Sequence, residues 1–279
     1  MRIEKKGKAE APIAELRENL VRLTAQARDI GTGQKDKRKL NAEIGALNAE
    51  LNALMVELDS ITRPNSVFDP GNPRTVGLFI ALATTTQTRQ PLNEISAFYG
   101  AGLYAIYYTG GFEPYSPISK TETPIYVGMA LCGIEDAVDV VDQGTPLAGR
   151  LREHQKNIRR AQETLSIDDF EYRALVLRSG WESTAENYLI RLFKPIWNKE
   201  TKILFGFGKH GDDANTRKNR RSPWDTLHAG RNWAADSNLT DNKSQLQIKE
   251  LLKRHFVKNR VYQSFGEILE QFKKSLDQK

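Results

Sequence analysis

Apolar residues in the first 62 positions recur with a helical period. Ile13, Leu16, Leu20, Leu23, Ala27 and Ile30 stand at spacings of 3, 4, 3, 4 and 3, and Leu40, Ile44, Leu47, Leu51, Leu54, Leu58 and Ile61 at 4, 3, 4, 3, 4 and 3. Each set forms a heptad stripe with polar residues between its members. The segment GTGQKDK at 31–37 interrupts the stripes and shifts their phase. The pattern therefore predicts two helices folded as an antiparallel hairpin rather than one long rod. A two-helix hairpin buries its seam poorly alone, so residues 1–62 form a candidate oligomerisation arm. The blander reading is that the stripes pack only on each other or on the rest of the chain.

The pattern changes after residue 62. RPNSVFDPGNPR at 63–74 holds three prolines, a glycine and two asparagines, and 63–75 reads as a linker. From about 75 to 235 the pattern is mixed. GLYAIYYTG and PIYVGMA are rich in aromatic and β-branched residues and predict short strands. PLAGRLREHQKNIRRAQ at 146–162 predicts a helix with proline in its first turn, and DFEYRALVLRS at 169–179 alternates like a third strand. SGWESTAENYLIRLFKPIWN predicts a helix ended by Pro195. The stretch 199–223 is polar and basic, and 243–275 reads as two amphipathic helices within a C-terminal extension, 236–279.

Composition narrows the functional classes. The 279 residues are 39% hydrophobic, enough for a packed core, and carry a net charge of +6. A basic balance favours polyanionic partners, nucleic acid first. The single cysteine, Cys132, rules out an intrachain disulfide framework or a cysteine-based zinc site and fits a reducing cytoplasm. The basic N-terminus has no apolar core of the signal-peptide type. The longest apolar run, VGLFIALA at 76–83, is too short to span a bilayer, so no membrane partner is expected.

Several residues are candidates for chemistry. Arg150 and His154 are four apart on one predicted helix face, a spacing that can hold a phosphate and handle a proton, although most such pairs are solvated or capping. Glu186 sits among Ala185, Leu189 and Ile190; facing inward, a carboxylate needs a partner such as a metal ion, and in isolation the commoner reading is a surface or salt-bridged glutamate. Asn198 follows an aromatic residue and is either a turn residue or a group that orients a reactive neighbour.

In order along the chain, these segments resemble the GIY-YIG nuclease superfamily, and more specifically its type II restriction endonuclease branch. The resemblance rests on GAGLYAIYYTG, PIYVG, RLREHQKNI, KPIWN, GFGKH and WDTLHAGRNWA and covers roughly residues 98–235. The first motif appears as Gly102-Leu103-Tyr104 and the second as Tyr126-Val127-Gly128. The resemblance implies a small three-stranded antiparallel sheet flanked by helices, so the whole chain is expected to be α+β, with that nuclease core over 76–235 between the coiled-coil arm and the C-terminal helices read from the periodicity. It implies that Tyr104 takes or relays the proton of an attacking water with His154 beside it, and that Tyr126 binds the phosphate or the water. Arg150 would neutralise phosphoryl charge and Asn198 would support the cluster. Glu186 would bind one divalent cation per site, Mg²⁺ with Mn²⁺ as a substitute, and the products would be a 5′-phosphate and a 3′-hydroxyl. Met129 departs from the pattern, standing where the family often carries lysine or another polar residue, which puts lysine-assisted base catalysis in doubt.

The segment 199–234 is expected to read DNA. Its candidates for phosphate and base-edge contacts are Lys209, Arg217, Lys218, Arg220, Arg221, His228 and Arg231; the alternative for 217–221 is a solvated loop. Cutting both strands of a palindrome with one site per chain implies a homodimer or homotetramer. The branch suggests double-stranded DNA, a GC-rich site such as CCGCGG, and functional pairing with a cognate DNA methyltransferase. The competing readings are a repair or homing endonuclease and a non-catalytic DNA-binding scaffold. Repair enzymes carry extra helix-hairpin-helix modules and homing enzymes a long linker, and neither pattern is evident.

Overall fold

The computed structural model describes residues 10–29, 34–61, 68–134, 137, 139–178, 180–208 and 220–277. The chain divides into two units, Met1–Asn65 and Ser66–Lys279.

The first unit is helical, with α1 spanning Glu10–Asp29 and α2 spanning Gln34–Leu58. The heptad stripes fall on these helices, apart from Ile30, which lies outside the described residues, and Ile61, which follows α2. No residue of α2 is buried. Leu40 of its stripe is half-buried and the others are exposed, from 36% at Leu51 to 75% at Leu58, and Ile13, Leu16 and Leu20 of α1 are exposed too.

The second unit is built on an antiparallel sheet. Helix α3 (Pro73–Thr85) leads to the short strand β1 (Gln90–Pro91) and then to β2 (Gly102–Tyr108) and β3 (Tyr126–Ala130). Helix α4 (Pro146–Arg160), strand β4 (Phe170–Val176) and helix α5 (Glu182–Phe193) follow. A short α6 (Pro223–Leu227) precedes α7 (Gln245–Lys258) and α8 (Phe265–Asp277). The strand order is β1-β4-β2-β3, every pair antiparallel. The three expected strands form the sheet, and Gln90–Pro91 adds a fourth at the outer edge of β4.

β2 lies in the middle and is buried along its whole length. Its side chains alternate between two cores, as the two-residue period of a strand requires. Tyr104, Ile106 and Tyr108 join one apolar cluster with Leu147, Leu151 and Ile158 of α4. Leu103, Ala105 and Tyr107 join the other with Leu78 of α3 and Ala185, Leu189 and Phe193 of α5. With both faces covered, the strand reads as a continuous apolar run.

Two regions go beyond what the sequence alone assigned. The apolar run at 76–83 is the body of α3, which starts within the stretch expected to be linker. Asn72 caps it, accepting from the Arg74 N–H at 2.9 Å, and Pro73 occupies the first turn, where its missing N–H costs nothing. The C-terminal helices are part of the core. Ile248 and Leu252 of α7 enter the first cluster, and Ile268 and Phe272 of α8 enter the second. A capping box of Ser244 and Gln247 starts α7. Among the described residues no helix is long and apolar enough to cross a membrane.

Candidate active site

The two motif tyrosines meet across β2 and β3. Tyr104 pairs with Gly128 and Tyr126 with Ile106, so the tyrosines are diagonal neighbours on one face of the sheet. Their ring centroids are 6.1 Å apart. Gly128 is required at this point, because a Cβ there would collide with the Tyr104 hydroxyl.

Helix α4 brings the next two groups. Pro146 opens it, and Leu147, Leu151 and Ile158 bury its inner face completely. His154 lies on that face, fully buried, with Nε2 2.7 Å from the Tyr104 hydroxyl. Arg150, one turn earlier, sits half-buried at the mouth beside both tyrosines and pairs with Glu153 at 2.7 Å. The Arg150 guanidinium acts on the Tyr104 hydroxyl, and that hydroxyl shares its short hydrogen bond with His154 Nε2.

The electrostatics keep both groups of this pair neutral. Burial, helped by the charge of Arg150, lowers the His154 pKa to about 3. Burial and the neighbouring Tyr126 hold the Tyr104 phenol well above its ordinary value, against the pull of Arg150. The pair is thus a neutral phenol hydrogen-bonded to a neutral imidazole, which accepts a proton through Nε2 in the tautomer that carries its hydrogen on Nδ1.

Glu186 and Asn198 lie along β3, the edge strand of the sheet. Asn198 accepts from the Val127 N–H at 3.0 Å and donates to the Val127 carbonyl at 2.8 Å. Two residues further along, the Met129 N–H donates to the Glu186 carboxylate. Together these side chains occupy the edge of β3. Burial and the nearby Glu200 raise the Glu186 pKa to about 7, opposed by the Met129 N–H, Lys199 and Arg150. The Met129 side chain packs into the second cluster, on the opposite face from the tyrosines. That position contributes to the site through its backbone.

The donor set suits a divalent cation of the Mg²⁺ type. Among the described residues no group of three or more His, Cys, Asp and Glu side chains is arranged as a cage. Mg²⁺ keeps several waters and takes one or two carboxylates plus substrate phosphate, so the single half-buried Glu186, held ready by Met129, fits it. The proton that Glu186 holds below about pH 7 would be displaced by the cation.

The expected DNA-reading residues separate into groups. Lys209, Arg217 and Lys218 lie outside the described residues. Arg220 is exposed at the surface. Arg221 is tied to Asp241 at 2.6 Å and to the Ala234 carbonyl at 2.9 Å. His228 and Arg231 belong to the core, which corrects the expectation that they face DNA. His228 is fully buried, with Nε2 on the Tyr115 hydroxyl and Nδ1 2.8 Å from Thr164 Oγ1. Arg231 is 2% exposed. Its guanidinium grips Asp225 at 2.5 Å and donates to the carbonyls of Gly206, Phe207 and Gly208. A buried guanidinium must satisfy its donors inside the protein, and all of these partners do so.

Sequence reasoning missed the aromatic wall behind the pair. Phe207 stacks on His154 with centroids 4.5 Å apart and planes 14° from parallel. Trp197 packs on Phe207 at 4.4 Å and donates to the Tyr115 hydroxyl at 3.0 Å. The aromatics of KPIWN and GFGKH were the available signal, but linear spacing does not show that they converge on α4.

The model of the Eco29kI GIY-YIG domain family matches residues 96–256, the span that holds all of these groups. Among curated proteins none matches the chain. That match spans more than half of the chain, and the chain belongs to the GIY-YIG restriction endonuclease family of Eco29kI.

Proposed function

We propose that this protein is a type II restriction endonuclease that hydrolyses one phosphodiester in each strand of a short palindromic duplex. The observation that carries the reading is the buried Tyr104–His154 hydrogen bond of 2.7 Å, open on one side to Tyr126 and Arg150. A water aligned by Tyr126 attacks phosphorus and gives its proton to Tyr104 as Tyr104 passes its own to His154 Nε2. Arg150 turns from Glu153 to the non-bridging oxygens, where its planar fork stabilises the growing charge. The phosphate anion at Arg150 offsets the guanidinium that depresses the His154 pKa, which makes the imidazole a better base with substrate present. The P–O3′ bond breaks, leaving a 5′-phosphate and a 3′-hydroxyl. Glu186 would hold a Mg²⁺ ion, which supplies positive charge for the departing 3′ oxygen.

Cutting two strands calls for two copies of this site, hence a homodimer or homotetramer related by the symmetry of the DNA. The exposed heptad stripes of α1 and α2 supply a surface for joining copies. A GC-rich palindrome such as CCGCGG is the first sequence to try, and a cognate methyltransferase would protect the host's own sites.

The test is digestion of unmethylated phage DNA by wild type and Glu186→Ala, with Mg²⁺ or with EDTA. Discrete Mg²⁺-dependent bands, lost in the variant and bearing 5′-phosphate ends, are expected. Absence of cleavage by wild type on every duplex tried would overturn the proposal.

A further inference from the structure

We infer that Phe207 is a positioning residue for His154, and that the buried Asp225–Arg231 pair exists to hold Phe207 in place. The inference rests on the reading of His154 as proton acceptor.

A histidine that moves a proton through one ring nitrogen commonly has the other held by a hydrogen-bond partner, which fixes the tautomer and the ring angle. His154 lacks that partner: among the described residues its buried Nδ1 has none. The angle of the ring must therefore be set by its faces. Phe207 covers one face in a near-parallel stack, 4.5 Å away at 14°. The edge-on ring of Tyr126 approaches at 5.0 Å and 62°. A flat ring against a flat ring restricts tilt, and the quadrupole geometry gives such pairs a preferred offset.

Phe207 is itself unusually constrained for a residue outside any helix or strand. Its carbonyl accepts from Asn157 Nδ2 at 3.2 Å and from the Arg231 guanidinium at 3.3 Å. Asn157 is one turn beyond His154 on α4, so the stacking ring is tied to the helix that carries its target. Arg231 also holds the carbonyls of the residues on either side, Gly206 at 2.5 Å and Gly208 at 3.0 Å. Asp225, itself buried, fixes Arg231 with contacts of 2.5 and 2.7 Å. Trp197 and Trp224 close around the Phe207 ring at 4.4 and 5.4 Å. A buried ion pair is weak evidence of added stability, and here its donors are spent on the three consecutive carbonyls around Phe207.

The experiment is a double-mutant cycle read by single-turnover cleavage of duplex DNA. Phe207→Leu removes the flat face and keeps an apolar side chain. Phe207→Met is a second variant that keeps more volume, and near-UV circular dichroism checks that each is folded. A loss of roughly tenfold in rate is expected with DNA affinity unchanged, and no further loss beyond twofold when Phe207→Leu is placed in the His154→Ala background. A loss of equal size in both backgrounds, or no loss in the first, would overturn the inference. Imidazole ¹⁵N NMR of the DNA-free protein tests the same point without catalysis. One tautomer is expected for His154 in wild type and a mixture in Phe207→Leu, and identical spectra would overturn the inference. Because that spectrum needs no cleavage, it separates failure of this inference from failure of the nuclease reading.

Discussion

Burial does two things to the histidines: it makes His154 a neutral acceptor, and it makes the fold sensitive to acid. His154 and His228 both have folded pKa values near 3, lowered from 6.5 by burial. Between those values the unfolded chain binds protons that the folded chain does not, so stability falls as pH drops through 6.5 toward 3. Above about 6.5 neither group contributes. Each histidine adds a slope of up to about 1.4 kcal/mol per pH unit. Thermal melts at pH 7.5, 6 and 5 should show a falling Tm, and a flat profile would contradict the burial of both rings. Glu186 runs the other way. Its folded value of about 7 lies above the ordinary 4.5, so its ionisation costs stability as pH rises through that window. Mg²⁺ should therefore raise the Tm at pH 8 in wild type and not in Glu186→Gln.

The edge of β3 illustrates the scale of elements. Asn198 satisfies both the N–H and the C=O of Val127, and it is itself buried. Asn198→Ala would leave both backbone groups unpaired and cost about 1–3 kcal/mol, read as a lower urea midpoint with an unchanged slope. Much of this level was legible in the sequence. Aromatic and β-branched content in GLYAIYYTG and alternation in DFEYRALVLRS marked two strands, and Pro195 marked the end of α5. Tyr104, Tyr126, Arg150 and His154 converge as the motif order implies. Helix α3 was hidden because its apolar residues run together instead of recurring with a helical period, and they are covered on several sides by α5 and α8. His228 and Arg231 were misread because a basic side chain in a polar stretch looks solvent-bound. Only the fold shows that Asp225 and three carbonyls await the guanidinium. Phe207 was visible as the aromatic of GFGKH, but its stacking on α4 is a long-range contact that linear spacing does not show.

At the scale of the whole molecule the proposal needs two sites per duplex. If α1 and α2 join copies, Leu47→Glu with Leu51→Glu should reduce the mass seen by light scattering to that of one chain. Nicked plasmid should then accumulate ahead of linear product. An unchanged mass would leave the joining surface elsewhere. The central claim is that the intact protein cuts DNA by passing a proton from Tyr104 to His154. The most direct measurement is the single-turnover rate of duplex cleavage in Mg²⁺ for wild type and Tyr104→Phe, with DNA affinity measured alongside. Tyr104→Phe removes one oxygen from a buried ring and preserves the packing. A fall of about 10²–10⁴-fold in rate at unchanged affinity is the predicted result; a rate within twofold of wild type would contradict the account.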